Sequence, residues 1–441
     1  MAESLFKDRN LGIAANLGRP RTVLACGRHV AESTQLAKER GAHVTALEAS
    51  DSALSMAKDL ADEAYPLQAK DPLAPVRGRV FDLVLFEDME GAGDLAAMLE
   101  EVPSLLTDGG HVLLNVRTTR DAKERVGAML SRAGLELMRM DFDPRMVKAL
   151  ATMTQDAGDL HGAHTTSFRF TQQFLWPVER LLAKAMPTTL SEEMIFLARK
   201  APKKGPLSLT VGMLTLNETE SVERMIDDIR AVAPDAKILL VDSSSDATPE
   251  LARAKGARVV RQLPPRGHGP AMERLMYEAA SESEALIYID CDFTYPTNMI
   301  PRLRKLLEEG ADVVNASRTA TYPKAMPIPN FLANRTFAAT AQAVHGVPTT
   351  DVHSGMRGYR SSVIRAFSFD GEGDALPLDT LILPARSNYH VIEFPIEYSE
   401  RLGFSKLAKL RGTVWTFLRI ASAVGKGNRV RRGRRYVVDK S

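Results

Sequence analysis

Two aspartates, Asp290 and Asp292, follow an apolar, strand-like run that starts at Ala285. Side chains two residues apart leave the same face of an extended backbone, so both carboxylates would point to one place. Mg2+ and Mn2+ prefer oxygen ligands and often hold a phosphate through one or two carboxylates. The triplet is therefore a candidate metal and diphosphate site, although the same pattern also occurs in plain solvated turns.

Three further polar segments precede the triplet, and each stands where a strand ends or a helix begins. In an open parallel sheet, ligands bind beyond the carboxyl ends of the strands. We therefore expect these segments and the triplet to converge in one crevice. The segments are Leu216-Asn217-Glu218, Asp242-Ser243-Ser244 and Arg266-Gly267-His268-Gly269.

The chain as a whole is typical of a globular protein with two or three domains. It has 441 residues, of which 44% are hydrophobic and 25% charged. Both halves alternate apolar runs with helical patterns, as parallel α/β domains do. We expect a Rossmann-like domain over 1–200, a linker with Pro and Gly over 201–206, a second α/β domain over 207–406, and a basic amphipathic helix and tail over 407–441.

The sequence predicts a cytoplasmic protein. It shows no charged and then apolar leader and no apolar run of about 18 residues, the length that spans a bilayer. Its two cysteines, Cys26 and Cys291, lie in separate strand-end contexts and form no Cys/His cluster. Neither a disulfide nor a zinc site is indicated.

The net charge of +2 hides an asymmetry. From Arg401 onward, twelve Lys or Arg residues and one acid give +11, so the first 400 residues carry −9. Apolar residues between 407 and 424 recur every three or four positions, which is typical of a basic helix lying on an anionic membrane surface at the inner face of the cell membrane or packing against the preceding domain. Nucleic acid is not expected, because Tyr436 is the sole aromatic residue in the Arg-rich segment.

The first half resembles class I S-adenosylmethionine-dependent methyltransferases over residues 20–200. The resemblance rests on the strand and turn Thr22 to His29, the strand His43 to Glu48, and the segment Leu105 to Leu114. It implies a cofactor site at Gly27 and Glu48, where an acid after the second strand can bond ribose hydroxyls. The family's Gly-x-Gly turn is reduced here to Gly27, so either a working methyltransferase or an inactive structural domain is compatible with the pattern.

The second half resembles family 2 glycosyltransferases of the GT-A fold over residues 207–406. The resemblance lies in Leu216-Asn217-Glu218, Asp242 and Asp290-Cys291-Asp292, with His268 where the family usually has Lys. It implies that Glu218 and Asp242 contact the base and ribose of a UDP- or GDP-linked sugar, with Asp290 and Asp292 holding Mg2+ or Mn2+ on the diphosphate. The donor set that it implies is Leu216, Asn217, Glu218, Asp242, Ser244, Gly267, Asp290 and Cys291.

Two later motifs resemble the polyprenyl-phosphate branch of that family, which includes dolichol-phosphate mannose synthases. They are Asp351-x-x-Ser354-Gly355-Met356-Arg357 and Arg401-x-x-Gly403-x-Ser405-Lys406. The resemblance implies a lipid-phosphate acceptor, whose charge needs cations to position it. The candidate acceptor contacts are Arg318, Arg335, Ser354, Arg357, Arg401, Ser405 and Lys406.

The expected reaction is attack on an anomeric carbon with departure of a nucleoside diphosphate, and the resemblance implies inversion. A lipid phosphate is already ionised near neutral pH and needs no strong base, with Asp292 assisting departure through the metal. A hydroxyl acceptor, soluble or on a glycan, would need a base, for which Asp379 is the candidate. A methyltransferase whose second half merely binds nucleotide sugar is the third hypothesis. The pattern favours no particular oligomeric state.

Overall fold

The computed structural model describes residues 20–68, 70–89, 94–144, 191–369, 371, 376–399, 416, 420 and 436–438. The chain forms two compact units that divide between Ala201 and Pro202. Residues 201–206, which we predicted to be a linker, contain neither helix nor strand.

The first unit is built on a seven-stranded sheet. Helices alternate with several of its strands in the sequence. The strand order is β3-β2-β1-β4-β5-β7-β6. Its strands are β1 (Thr22–Gly27), β2 (His43–Glu48), β3 (Glu63–Pro66), β4 (Phe81–Glu87), β5 (Leu106–Arg117), β6 (Leu135–Pro144) and β7 (Ser191–Lys200). Within its described residues, the α-helices are α1 (Ala31–Glu39), α2 (Asp51–Leu60), α3 (Leu95–Leu105) and α4 (Ala122–Arg132).

The second unit is built on an eight-stranded sheet of order β10-β9-β8-β11-β13-β12-β14-β15. The strands are β8 (Leu209–Thr215), β9 (Lys237–Asp242), β10 (Arg258–Arg261), β11 (Ala285–Ile289), β12 (Val313–Ser317), β13 (Met356–Arg360), β14 (Val391–Pro395) and β15 (Tyr436–Val438). The α-helices are α5 (Val222–Val232), α6 (Thr248–Ala254), α7 (His268–Glu282), α8 (Ile300–Glu308), α9 (Ile328–His345), α10 (Ser361–Ala366) and α11 (Leu376–Arg386).

Apolar side chains explain why the helix α5 and the strand β11 form and pack. In α5 the buried residues Val222, Met225, Ile226 and Ile229 recur at spacings of three and one, which gives one apolar face against the sheet. β11 is buried along its whole length, as expected for a central strand covered on both faces. The predicted α/β architecture of both units is confirmed.

Both sheets are mostly parallel and depart from this direction at two strands. β7 runs antiparallel to β5 and β6, and β13 runs antiparallel to β11 and β12. A strand buried on both faces shows the same apolar run in either direction, so its composition carries no information on direction. The inserted β13 matters for the site, because it brings the segment before Met356 to the carboxyl end of β11.

Candidate functional site

The carboxyl ends of β9, β8 and β11 lie side by side, because these strands are parallel neighbours. The segment after β8 is bonded to the segment after β9: the Asn217 N–H donates to Ser244 Oγ at 2.8 Å. The Asp290 to Asp292 segment reaches the same place, since Ser221 Oγ donates to the Cys291 carbonyl at 2.7 Å. The structure therefore brings the predicted polar segments together.

The residues predicted to meet the nucleotide differ in their exposure. Leu216 and Asn217 are exposed, and Asn217 has the left-handed φ of 56°. Glu218 is half-buried, and its N–H donates to Thr248 Oγ1 at 2.8 Å, which fixes the start of the turn into α5. This turn thus presents its side chains to solvent at the end of β8, as a ligand contact requires.

Asp242 is fully buried and organises the end of β9. Its carboxylate accepts from the Thr215 and Ser244 hydroxyls, each at 2.6 Å, and forms an ion pair with Arg261. Arg261 also donates to the Ser244 carbonyl at 2.7 Å. Sequence analysis missed Arg261, which could have been found as the basic residue in register with Asp242 at the end of β10. Its guanidinium therefore lies at the strand-end edge that Asp242 and Ser244 form.

Asp290 is half-buried at the end of β11 and is joined to the later motif. Its N–H donates to the Gly355 carbonyl at 3.0 Å, and its carboxylate accepts from the Tyr288 hydroxyl. A Cβ at Gly355 would overlap the Asp290 carboxylate, so the glycine leaves the space that this carboxylate fills. The Gly355 N–H donates in turn to the Tyr295 hydroxyl at 2.5 Å. Asp290 and the Ser354 to Arg357 motif are therefore in direct contact through Gly355.

Asp292 is buried and is held in a tight turn. Its Oδ1 accepts from the Thr294 N–H at 3.1 Å and from the Thr294 hydroxyl at 2.5 Å. Phe293, between them, has the left-handed φ of 61°. Burial raises the pKa of the Cys291 thiol to about 12, so Cys291 stays uncharged and offers the site no thiolate. The charge of the triplet comes from its two carboxylates.

The two carboxylates fit a hard divalent cation. In the part of the chain that the structure describes, no group of three or more His, Cys, Asp or Glu side chains could enclose a metal ion. A cation at Asp290 and Asp292 would therefore complete its shell with water and with oxygens of a bound ligand. Mg2+ behaves in this way at sites that pair one or two carboxylates with a phosphate.

Arg318 stands beside this site in a buried ion pair with Asp351. Its Nε and Nη2 lie 2.7 and 2.9 Å from the two oxygens of Asp351, and Nη2 also donates to the His353 carbonyl. The guanidinium lies 5.8 and 5.6 Å from the ring centres of Tyr295 and Tyr398. Burial works to raise the pKa of Asp351, but the Arg318 charge and hydrogen bonds hold this pKa below its usual value.

Arg335 bonds the backbone next to Arg318. It is exposed on α9, and its Nη1 donates to the carbonyl of Thr319, the residue after Arg318, at 3.4 Å. Ser354 is buried, and its hydroxyl donates to the Ala316 carbonyl at the end of β12. Arg335 thus bonds the residue that follows Arg318, and Ser354 bonds the end of β12, the strand that precedes Arg318.

Arg357 does not fit the prediction that it contacts an acceptor phosphate. It is fully buried in β13, and its donors meet Asn315 Oδ1 at 2.8 Å, Thr380 Oγ1 at 3.1 Å and the Pro377 carbonyl. It therefore ties β12, β13 and the start of α11 together.

The predicted base Asp379 is also buried, in the first turn of α11. Arg401, Ser405, Lys406 and the predicted amphipathic helix and tail lie outside the described residues, apart from Thr416, Ile420 and 436–438.

In the first unit, Glu48 bonds the protein's own backbone at the place predicted for a ribose. Its carboxylate accepts from the N–H groups of His29 and Val30, each at 3.0 Å, and of Ser50 at 2.8 Å. Gly27 has φ of 142°, and a Cβ there would overlap the Glu87 carbonyl. The acid thus stabilises the turn after β1, and its three bonds explain why it is 2% exposed.

We expect Glu48→Gln to destabilise the first unit by about 2 kcal/mol, because one amide oxygen cannot replace two carboxylate oxygens that accept three buried N–H groups. Urea unfolding followed by far-UV circular dichroism measures the loss. Glu39→Gln, at an exposed position on α1, is the matched control. Equal unfolding midpoints for the two variants would contradict a structural role for Glu48.

Comparison with known proteins identifies the class. The family model described as glycosyl transferase family 2 matches residues 210–367. A dolichyl-phosphate hexose transferase of Haloferax volcanii is 36% identical over 205 residues, which cover 46% of this chain and 88% of that protein. The chain therefore belongs to glycosyl transferase family 2 through its second unit, and it is an enzyme of that class.

Two further comparisons cover the same unit. An undecaprenyl-phosphate mannosyltransferase of Micrococcus luteus is 27% identical over 210 residues, which cover 44% of this chain and 85% of that protein. A crystal structure of glucosyl-3-phosphoglycerate synthase from Mycobacterium tuberculosis covers 49% of this chain and 80% of its own, with a TM-score of 0.41 and 21% identity. None of the helices within the described ranges has the length and apolar character needed to cross a bilayer.

Proposed function

We propose that the second unit transfers a hexose, with inversion, from a nucleoside-diphosphate sugar to polyprenyl phosphate, and that it needs Mg2+ or Mn2+. The observation that carries the proposal is the contact between Asp290 and Gly355. It joins a carboxylate site suited to a diphosphate with a motif whose neighbours, Arg318 and Arg335, are suited to a second phosphate. The names of the two polyprenyl-phosphate relatives support the same acceptor class.

Each side of the site has a separate task in this mechanism. Glu218 and the edge formed by Asp242 and Arg261 orient the nucleotide, while Asp290 and Asp292 hold the cation. That cation, when bound, neutralises the charge that develops on the leaving diphosphate. Arg318 uses Nε and Nη2 for Asp351 and His353, and we propose that its Nη1 binds an acceptor oxygen.

No proton needs to be removed from the acceptor, because a phosphate monoester carries an ionised oxygen near neutral pH. The buried position of Asp379 is consistent with a reaction that has no general base. The phosphate oxygen forms the new bond to the anomeric carbon as the bond to the diphosphate breaks. Positioning by the two arginines brings the reacting atoms together.

The test is incubation of the full chain with Mn2+ or Mg2+ and a panel of labelled UDP- and GDP-sugars, with and without polyprenyl phosphate. We expect label to enter the lipid fraction for one donor. Transfer to a soluble or glycan hydroxyl instead, abolished by Asp379→Asn with retained donor binding, would establish the hydroxyl-acceptor alternative. Absence of transfer and hydrolysis with every donor and acceptor would refute the glycosyltransferase proposal.

We also propose that the protein binds a membrane surface peripherally, as a lipid acceptor requires. The helix α9, which carries Arg335, contains no acidic residue, and it exposes Ile328 and Leu332 by 60% and 57%. Tyr322, just before this helix, is 50% exposed and packs edge-on against Phe331. Exposed aliphatic and aromatic groups beside a cation are typical of an interfacial helix.

The double variant Ile328→Ser, Leu332→Ser is expected to weaken binding to anionic vesicles by roughly tenfold, because two exposed aliphatic side chains that would enter the membrane interface are lost. Flotation with phosphatidylglycerol vesicles measures it. Met56→Ser with Val80→Ser, which removes two equally exposed apolar side chains from the first unit, is the control. If both double variants float like the wild type, α9 is not the membrane contact.

The first unit is proposed as a structural or partner-binding domain rather than a methyltransferase, because Glu48 is engaged by backbone groups. Titration of the full chain with S-adenosylmethionine is expected to release no heat. A measurable binding heat would instead contradict this proposal and favour the methyltransferase hypothesis.

A further inference from the structure

A pair of side chains unused by the proposed mechanism lies directly behind the Asp290 carboxylate. Tyr288, two residues earlier on β11, leaves the same face of the strand, so its hydroxyl reaches along the strand to Asp290 Oδ1. His268, the first residue of α7, has its Nε2 at 3.3 Å from the same hydroxyl. The two rings meet edge to face, with centres 6.4 Å apart.

The direction of these bonds follows from counting protons. The Tyr288 hydroxyl has one hydrogen, and the carboxylate of Asp290 can only accept, so that hydrogen lies toward Asp290. The phenol oxygen then acts as acceptor toward His268, whose Nε2 must carry a hydrogen. The chain therefore runs from His268 Nε2–H to Tyr288 O–H to Asp290 Oδ1.

Tyr288 is 1% exposed and lies in the middle of the sheet, opposite Arg357 on β13, so its ring has little freedom to turn. Gly355 bounds the Asp290 carboxylate on another side. Two fixed neighbours thus restrict the orientation of a carboxylate that is otherwise half-buried. His268 directly follows Gly267 at the start of α7, so the chain of bonds also connects the predicted Arg266 to Gly269 segment to this carboxylate.

We infer that Tyr288 is a positioning residue for the metal ligand Asp290, and that His268 supports it by donating to the phenol oxygen. The inference rests on the proposed metal role of Asp290. Groups that bond a metal ligand from behind fix its orientation, and their loss commonly lowers metal affinity by about 10–100-fold. Restriction of Asp290 before the metal arrives is the physical reason, because less freedom is lost on binding.

The test measures Mn2+ affinity of the full chain by electron paramagnetic resonance of the free ion, with and without UDP or GDP. Tyr288→Phe, which keeps the ring and loses the hydroxyl, is expected to raise the Kd for Mn2+ about tenfold. Its apparent KM for Mn2+ should rise in step, while kcat at saturating Mn2+ changes less. Tyr359→Phe removes another buried hydroxyl, from β13, and should leave the Kd for Mn2+ within about twofold.

His268, which is less buried than Tyr288, provides a second test. His268→Gln keeps an N–H donor at a similar reach and should retain the wild-type Kd for Mn2+, whereas His268→Leu should raise it by a few-fold, less than Tyr288→Phe. These variants decide the question if Tyr288→Phe does not fold. Unchanged Mn2+ affinity in folded Tyr288→Phe, or equal loss in His268→Gln and His268→Leu, would overturn the inference while leaving the proposed function intact.

Failure of the proposed function gives a different result. If the wild type binds no Mn2+ with either nucleoside diphosphate present, the metal role of Asp290 is refuted, and the positioning role of Tyr288 is refuted with it.

Discussion

Asp290→Asn is expected to lower kcat on the order of 10³-fold, while the thermal midpoint changes by no more than a few degrees. The substitution keeps the shape of the side chain and its bond from Tyr288, so packing at Gly355 is preserved. It removes the negative charge that would hold the cation on the leaving diphosphate. Loss of one electrostatic contact to a transition state typically costs about 10²–10³ in kcat, and a lost metal ligand belongs at the upper end.

The measurement is transfer of labelled sugar to polyprenyl phosphate across a range of Mn2+ concentrations. Asp235→Asn, at an aspartate of the same unit that is 59% exposed, is the matched control and should keep wild-type activity. An Asp290→Asn enzyme that turns over within tenfold of the wild type would show that the carboxylate does not act on the diphosphate. Recovery at high Mn2+ would locate the defect in metal affinity.

The order of polar strand ends allowed this site to be predicted from the sequence. Asp290, Asp242 and Asn217 each stand at or just after the end of an apolar run, and these three runs form the neighbouring parallel strands β11, β9 and β8, whose carboxyl ends meet. The prediction needed no knowledge of side-chain contacts. It required that the strands be buried and adjacent, and apolar composition encodes burial directly.

The role of Arg357 could not be read in the same way. The resemblance to the polyprenyl-phosphate branch implies that Arg357 contacts the acceptor, whereas its burial follows from the antiparallel placement of β13 between β11 and β12. Strand direction is set by how the chain returns to the sheet, which local composition does not encode. Full burial of an arginine is tolerated here because Asn315, Thr380 and Pro377 supply acceptors.

Glu48 and Arg261 show a second limit. An acid at a strand end has the same pattern whether it faces a ribose or turns back onto three backbone N–H groups, and the conformation of the Gly27 turn decides which. Arg261 lies outside every motif, and its pairing with Asp242 depends on strand register. The motifs therefore predict which residues stand at the strand ends, but they do not predict which residues distant in sequence these side chains contact.

The buried pair of Arg318 and Asp351 is expected to contribute the largest single effect on stability. Asp351 is fully buried and accepts from the Arg318 N–H at 3.1 Å, from both of its guanidinium contacts, and from the His353 N–H at 3.1 Å. Asp351→Ala leaves a guanidinium whose side chain is 12% exposed without its counter-charge. Removing one partner of such a pair costs about 3–5 kcal/mol, measured here by chemical unfolding of the second unit.

The dependence of this effect on pH has a defined sign. The folded state holds the pKa of Asp351 below the usual value of 3.8, so the ionised form is favoured by folding. Its contribution is complete above that unfolded-state value and is lost as pH falls through the lower, folded-state value. The stability difference between wild type and Asp351→Ala should therefore be constant from pH 7 to about pH 5 and shrink below about pH 4.

The double variant Arg318→Met, Asp351→Leu separates stability from chemistry. Replacing both charges with apolar groups of similar size removes the unpaired cation, so most of the stability lost in Asp351→Ala should return. Transfer to polyprenyl phosphate should stay low, because the proposed contact of Arg318 with the acceptor oxygen is gone. Donor hydrolysis in the absence of acceptor should persist, because Asp290 and Asp292 are untouched. A double variant that is both stable and fully active would assign the pair to folding alone and leave Arg335 as the acceptor contact on this segment.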